Sequence, residues 1–126
     1  MAFIPYSYDS GQPAPSEYHE LASAGDLYIG LSMTVSGDGA AVSKTPDYIC
    51  LREEKGAAAG TLIPMMHIST DVIFEAPLGQ DAPALTAGSA AGVSADGLTI
   101  DPQGSALVIV NMDGTEAGDL CRCRFV

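Results

Sequence analysis

The stretch 27–35, Leu-Tyr-Ile-Gly-Leu-Ser-Met-Thr-Val, places a large apolar residue at every odd position and Tyr, Gly, Ser or Thr at every even one. That is the two-residue period of a strand with one buried face. The same grammar recurs from Gly25 to the C-terminus, in short segments separated by turn residues, and no window of eleven residues favours a helical period. Ser36-Gly37-Asp38-Gly39 supplies the positive-φ positions of a tight turn, so 40–43 is expected to run back as a hairpin partner. Further strands are read at 48–52, 61–68, 71–76, 92–94, 98–101, 106–110 and 120–126. About eight or nine short strands at this spacing predict an all-β fold, a small barrel or sandwich. Pro64 has no N–H for a ladder, which predicts an edge strand or a bulge there. The run Ala106-Leu107-Val108-Ile109-Val110 is continuous enough to be buried on both faces.

The first 24 residues read differently. Pro and Tyr are scattered among Ser, Gly, Gln and acids without an apolar period, so 1–24 is expected to be an extended arm on a single barrel or sandwich domain, 25–126. Within the arm, 16–21 could form one helical turn with Ser16 as N-cap. Residues 77–92, PLGQDAPALTAGSAAG, read as a flexible surface loop. Ordering about 20 arm residues costs on the order of 20–40 kcal/mol of backbone entropy. Burying Phe3, Ile4, Tyr6, Tyr8, Tyr18 and Leu21 at roughly 1.5–3 kcal/mol each recovers only about 10–18. The arm therefore needs a surface to order on. Either a partner supplies it, as in strand addition, or the chain's own barrel does.

Charge narrows the function. The 126 residues carry 16 Asp and Glu against 5 Lys and Arg, a formal charge of −11, which argues against nucleic acid and anionic membrane as partners. No apolar run reaches the length of a membrane span, and the N-terminus lacks a basic and apolar leader pattern, so residence in cytosol is expected. Three cysteines, an odd number, fit a reducing compartment.

The cysteines pose a specific question, because the chain closes on DLCRCRFV with Arg122 and Arg124 interleaved with Cys121 and Cys123. On a strand, residues i and i+2 lie about 7 Å apart on one face. Two thiolates on one zinc must approach to roughly 4 Å. Cys-x-Cys is then a poor chelate, and Cys121, Cys123 and Phe125 are expected to form an inward face. Arg122 and Arg124 share the outer face with Leu120 and Val126. They either offset the chain's own carboxylates, or protect an edge strand, or contact another subunit.

Other candidates for chemistry resolve into structure. His19-Glu20 lacks the second histidine of a zinc-protease motif, and His67 between Met66 and Ile68 reads as a half-buried, hydrogen-bonded residue. The Asp-Gly pairs at 38–39, 96–97 and 113–114 are turn chemistry without the spacing of a calcium loop. The glycines match neither a dinucleotide-binding turn nor a phosphate loop. No catalytic residue, metal site or cofactor site is assigned, and the chain is not expected to be an enzyme; a hydrolase ranks behind the binding roles.

The order of features, a polar N-terminal arm, "PDYICLREEKG" at 46–56, "PMMHISTDVIFEAPL" at 64–78, "ADGLTI" at 95–100 and a final "GTEAGDLCRCRFV", resembles the small head decoration, or cement, proteins of tailed bacteriophages. The resemblance implies a structural protein of the virion that binds the outer surface of an assembled capsid. There it would stabilise the joints between capsomers, commonly as a homotrimer, with the major capsid protein as partner and assembly in the host cytoplasm. By that similarity Phe3, Ile4, Tyr6 and Tyr8 are the expected capsid contacts of the arm, and Arg122 and Arg124 possible subunit contacts. The alternative is an acidic β-sandwich that binds a small ligand or carbohydrate, which would need a pocket of convergent polar and aromatic groups.

Overall fold

In the computed structural model, residues 2–8 and 16–126 are described. They form thirteen strands and no helix. These are β1 (Ile4–Tyr8), β2 (Ser16–Glu20), β3 (Gly25–Leu27), β4 (Ser32–Ser36), β5 (Gly39–Val42), β6 (Tyr48–Cys50) and β7 (Glu54–Ala57). They continue as β8 (Leu62–His67), β9 (Val72–Pro77), β10 (Ala90–Val93), β11 (Ile100–Asp101), β12 (Leu107–Met112) and β13 (Leu120–Phe125). A six-stranded sheet has the order β1-β9-β13-β12-β10-β11. A five-stranded sheet has the order β2-β8-β6-β4-β5, and β3 pairs with β7 apart from both. All the strand pairs are antiparallel. The expected all-β class holds, as a small sandwich with more strands than the eight or nine read from the periodicity.

Two hydrophobic clusters hold the layers together, and the β6–β8 pair divides them. Ile49 and Met66 point into the cluster shared with the six-stranded sheet, among Phe74, Leu107, Cys123 and Phe125. Their neighbours Cys50, Ile63 and Met65 point the other way, into a cluster with Leu21, Leu27, Met33 and Ala57. Alternation along these strands thus serves two cores at once. The five-stranded sheet curls back on itself. Leu21, just past β2, bridges Ala40 of β5 in parallel, and the Ala22 N–H donates to the Ala40 carbonyl at 2.9 Å. Gly39 makes this crossing possible: its φ is +114°, and a Cβ there would lie 2.6 Å from the Glu20 carbonyl oxygen.

Several expectations change. The hairpin at 36–39 forms as read, joining β4 to β5. The strand read across 27–35 is broken, because the chain turns at Gly30 (φ +92°), and Ile29 is exposed while Leu27, Leu31 and Met33 are buried. Pro64 lies in β8, an inner strand between β2 and β6 and not an edge. It is tolerated because β6 ends at Cys50: the Leu51 N–H still donates to the Pro64 carbonyl at 2.9 Å, and the return bond that proline cannot make falls outside the ladder. β12 is buried on one face only, with Leu107 and Ile109 inside and Val110 exposed. The stretch 77–92, read as a flexible loop, is anchored by the buried side chains of Leu78, Ala82 and Leu85. It is also tied by hydrogen bonds from the Ala82 N–H to the Thr115 carbonyl and from the Gly88 N–H to the Ile109 carbonyl.

The N-terminal segment is the largest departure. Residues 4–8 pair with β9. Residues 16–20 form a strand on β8, where the sequence reading placed a helical turn; five register pairs with β8 outweigh one turn's local preference. The middle of the expected arm, 9–15, lies outside the described residues. Of the two surfaces on which the arm could order, β1 and β2 use the chain's own.

Candidate interaction surface

Alternation along β13 builds the site. Cys121, Cys123 and Phe125 are buried, while Arg122 and Arg124 turn outward. β13 is an inner strand flanked by β9 and β12, so the arginines do not guard an edge. Burial raises the thiol pKa of Cys121 to about 11 and that of Cys123 to about 12. Burial likewise raises that of Cys50. All three are free thiols with little thiolate character near neutrality, packed as small apolar side chains. Among the described residues, no group of three or more His, Cys, Asp or Glu is placed to hold a metal ion.

Arg122 sits at the centre of the outer face. It lies opposite Glu75 of β9 and Asn111 of β12, and Glu75 lies opposite Ile4 of β1. Its guanidinium donates to Glu75 Oε2 from Nε at 3.0 Å and pairs with the same oxygen from Nη2 at 2.9 Å. Nη1 reaches Asp113 Oδ1 at 2.6 Å and Asn111 Oδ1 at 3.3 Å. The guanidinium carbon stands 5.2 Å from the centre of the Tyr6 ring. The hydrogen bond to Asp113 is the main cause that raises the guanidinium's pKa, opposed by partial burial. Planar donors fixed on two carboxylates with an aromatic ring above them make a stiff cluster.

Arg124 lies beside this cluster, opposite Val108, and its Nη1 donates to the Thr70 carbonyl at 2.6 Å. Ile4 and Tyr6 are exposed on β1, and Val110 is exposed at a bulge in β12. The face therefore combines an internally paired charge cluster with exposed apolar side chains. That is the mixture of aromatic, Arg and aliphatic groups found in protein interfaces.

The structure thus sorts the residues singled out by sequence. Ile4, Tyr6 and Arg122 come together on one face, with Arg124 alongside. Phe3 does not join them. It is fully buried, its ring 5.6 Å from that of Phe125, and its N–H donates to the Gly30 carbonyl at 3.0 Å. Phe3 therefore does not belong to the exposed face on which a capsid contact was expected: alternation along the strand sends it into the core. Of Tyr8 only the backbone, opposite Val72, is described. Arg122 is engaged by its own chain's carboxylates, which was one of the readings open for it. The sequence reading missed Glu75, Asn111 and Asp113. Only Glu75 left a signal, as the charged residue at an outward position of an otherwise apolar strand.

A second cluster gathers both histidines. The ring of Tyr48 lies 4.9 Å from those of His19 and His67, and its hydroxyl donates to Glu17 Oε1 at 3.3 Å. Burial is the main cause that raises the Tyr48 pKa, reinforced by Glu17. His67 is exposed, not half-buried, with Nδ1 2.9 Å from the Ile68 carbonyl. The cluster fastens β2, β6 and β8 together. A cleft of about 370 Å³ opens elsewhere, with Thr45, Pro46, Asp47, Ile68, Ala106 and Val126 in its walls.

Comparison with protein-family models, curated proteins and solved structures finds no match to this chain.

Proposed function

We propose that this is a structural virion protein that binds the exterior of an assembled phage capsid through the outer face of the six-stranded sheet and stabilises the joints between capsomers. The observation that carries the reading is the preassembled cluster in which Arg122 is fixed between Glu75 and Asp113 under the ring of Tyr6, beside exposed Ile4. Groups already held in place lose little entropy when a partner covers them, so even a small face contributes usefully. Many copies on one lattice would turn weak contacts into stable coating. The −11 charge is no obstacle on the outside of a shell, where the protein does not meet packaged DNA. In this reading the major capsid protein is the partner, Ile4 and Tyr6 are the shell contacts, and a trimer over each quasi-threefold position is the natural stoichiometry. The resemblance in segment order supports the same role.

The test is cosedimentation with empty expanded heads of the phage that encodes the chain. Wild-type protein is expected to leave the supernatant with the heads. Replacing Ile4→Ser and Tyr6→Ser together is expected to weaken binding by about tenfold or more, the scale of an aromatic anchor at an interface, with an unchanged β circular dichroism signal. Wild-type protein that stays in the supernatant, but is stabilised by a sugar or small ligand, would replace this reading with that of an acidic binding module.

A further inference from the structure

β1 is attached in a way that does not require it to belong to the molecule it completes. It lies at the edge of the six-stranded sheet and pairs with β9 alone. The register shifts between Pro5 and Ser7, and Pro5 has no N–H to give, so the ladder is short. The rest of its hold is the burial of Ala2 and Phe3, the hydrogen bond from the Phe3 N–H to the Gly30 carbonyl, and the stacking of Tyr6 on Arg122. Gly30 accommodates this seat closely: a Cβ there would stand 2.8 Å from that of Ala2 and 2.9 Å from the Phe3 nitrogen. Each of these contacts forms equally well with the same segment of another copy. The next strand, β2, belongs to the other sheet, so β1 can leave without breaking any hydrogen bond of β2.

We propose that β1, with Phe3 at its head, exchanges between copies of this chain, so that the strand seated beside β9 of one molecule is supplied by a second copy. An empty seat would expose Phe125, and Phe74 beyond it, which touch Phe3 or one another within the core. The seat is therefore always occupied, and chain concentration decides between own and foreign strand. Charge favours this segment as the element that crosses. The bodies are acidic and repel, whereas residues 2–8, Ala-Phe-Ile-Pro-Tyr-Ser-Tyr, carry no charged side chain. The outer face then becomes composite, Ile4 and Tyr6 of one copy lying over Arg122 and Glu75 of the next. Self-association by exchange would build from two copies the same face that one chain forms alone.

The experiment needs no capsid, so its outcome is separate from that of the shell-binding test. Ser7 and Ile73 are register partners, within the reach of a disulfide when both are cysteine. Full-length Ser7→Cys and Ile73→Cys chains, distinguishable by isotope labelling, are mixed at high concentration and mildly oxidised. The native cysteines are buried and serve as silent background. Exchange predicts heterotypic disulfide dimers in at least about fivefold excess over either homotypic dimer, because only the register pair is held in bonding geometry. It also predicts a covalent ladder from the double variant on a denaturing gel. Intramolecular bonds alone in the double variant, with no heterotypic excess in the mixture, would overturn the proposal. A second pair, Ile4→Cys with Glu75→Cys, is read by the same criteria and decides the matter if the first pair misfolds.

Discussion

β1 and β2 are equal in length, five residues each, and come from one stretch of sequence with one texture, yet the fold treats them in opposite ways. β1 is led in by a fully buried aromatic and is clasped on its outer side by Arg122. β2 presents Tyr18 and Glu17 to solvent and rests on its ladder with β8, the packing of His19 against Tyr48 and the smaller buried Leu21 that follows it. Hydrogen bonding to a neighbouring strand is common to both, so it does not distinguish them. What differs is apolar area removed from water, and that sets how much stability each strand contributes.

Phe3→Ala should separate the two strands most. The side chain is fully buried against Phe125, and its loss removes transfer energy and leaves a cavity under the sheet edge, so a destabilisation of about 3–5 kcal/mol is expected from urea denaturation. A cost below about 0.5 kcal/mol, the range of ordinary surface substitutions, would mean that β1 is as loosely founded as β2.

Next in size is Arg122→Ala, which removes the clasp but no core. Glu75 and Asp113 retain access to water, so they are not stranded, and the expected loss is about 1 kcal/mol. Arg122→Lys should recover only part of it, because an ammonium cannot serve Glu75, Asp113 and Asn111 from one plane or stack on Tyr6. Raising the salt concentration should narrow the gap between wild type and both variants. Full recovery by Lys would show that charge alone matters and that the planar geometry under Tyr6 is incidental.

How much of this was legible beforehand follows from range. The two-faced character of β13 was readable because a two-residue period is written in adjacent residues, and the same holds for the turn at 36–39. Where the apolar residues of the first twenty positions would go was not. Entropy and burial estimates show that Phe3, Ile4 and Tyr6 need a surface, but not whose, and the answer lies at Phe125 and Gly30, far along the chain. Pro64 misled for a related reason. A missing N–H excludes a residue from one bond, not from an inner strand, and the position of that bond depends on where β6 ends. The cluster around Arg122 was half visible: the arginines stood out in an acidic chain, while Asn111 and Asp113 became partners only through the register of β12.

The smallest expected effect is also the cleanest check on β2. Tyr18 is largely exposed beside Pro64, so Tyr18→Ala should change stability by no more than about 0.5 kcal/mol. His19→Ala should cost somewhat more, because it removes a ring packed on Tyr48 and a partner of Glu17, an aromatic contact of about 0.5–1.5 kcal/mol beyond its area. The order Phe3 above Arg122, and His19 above Tyr18, tests whether stability in this segment follows side-chain burial. If Tyr18→Ala cost as much as Phe3→Ala, the exposed ring of β2 would have to be covered by something in solution. The distinction between the two strands would then lie in what each one meets and not in how deeply it is buried.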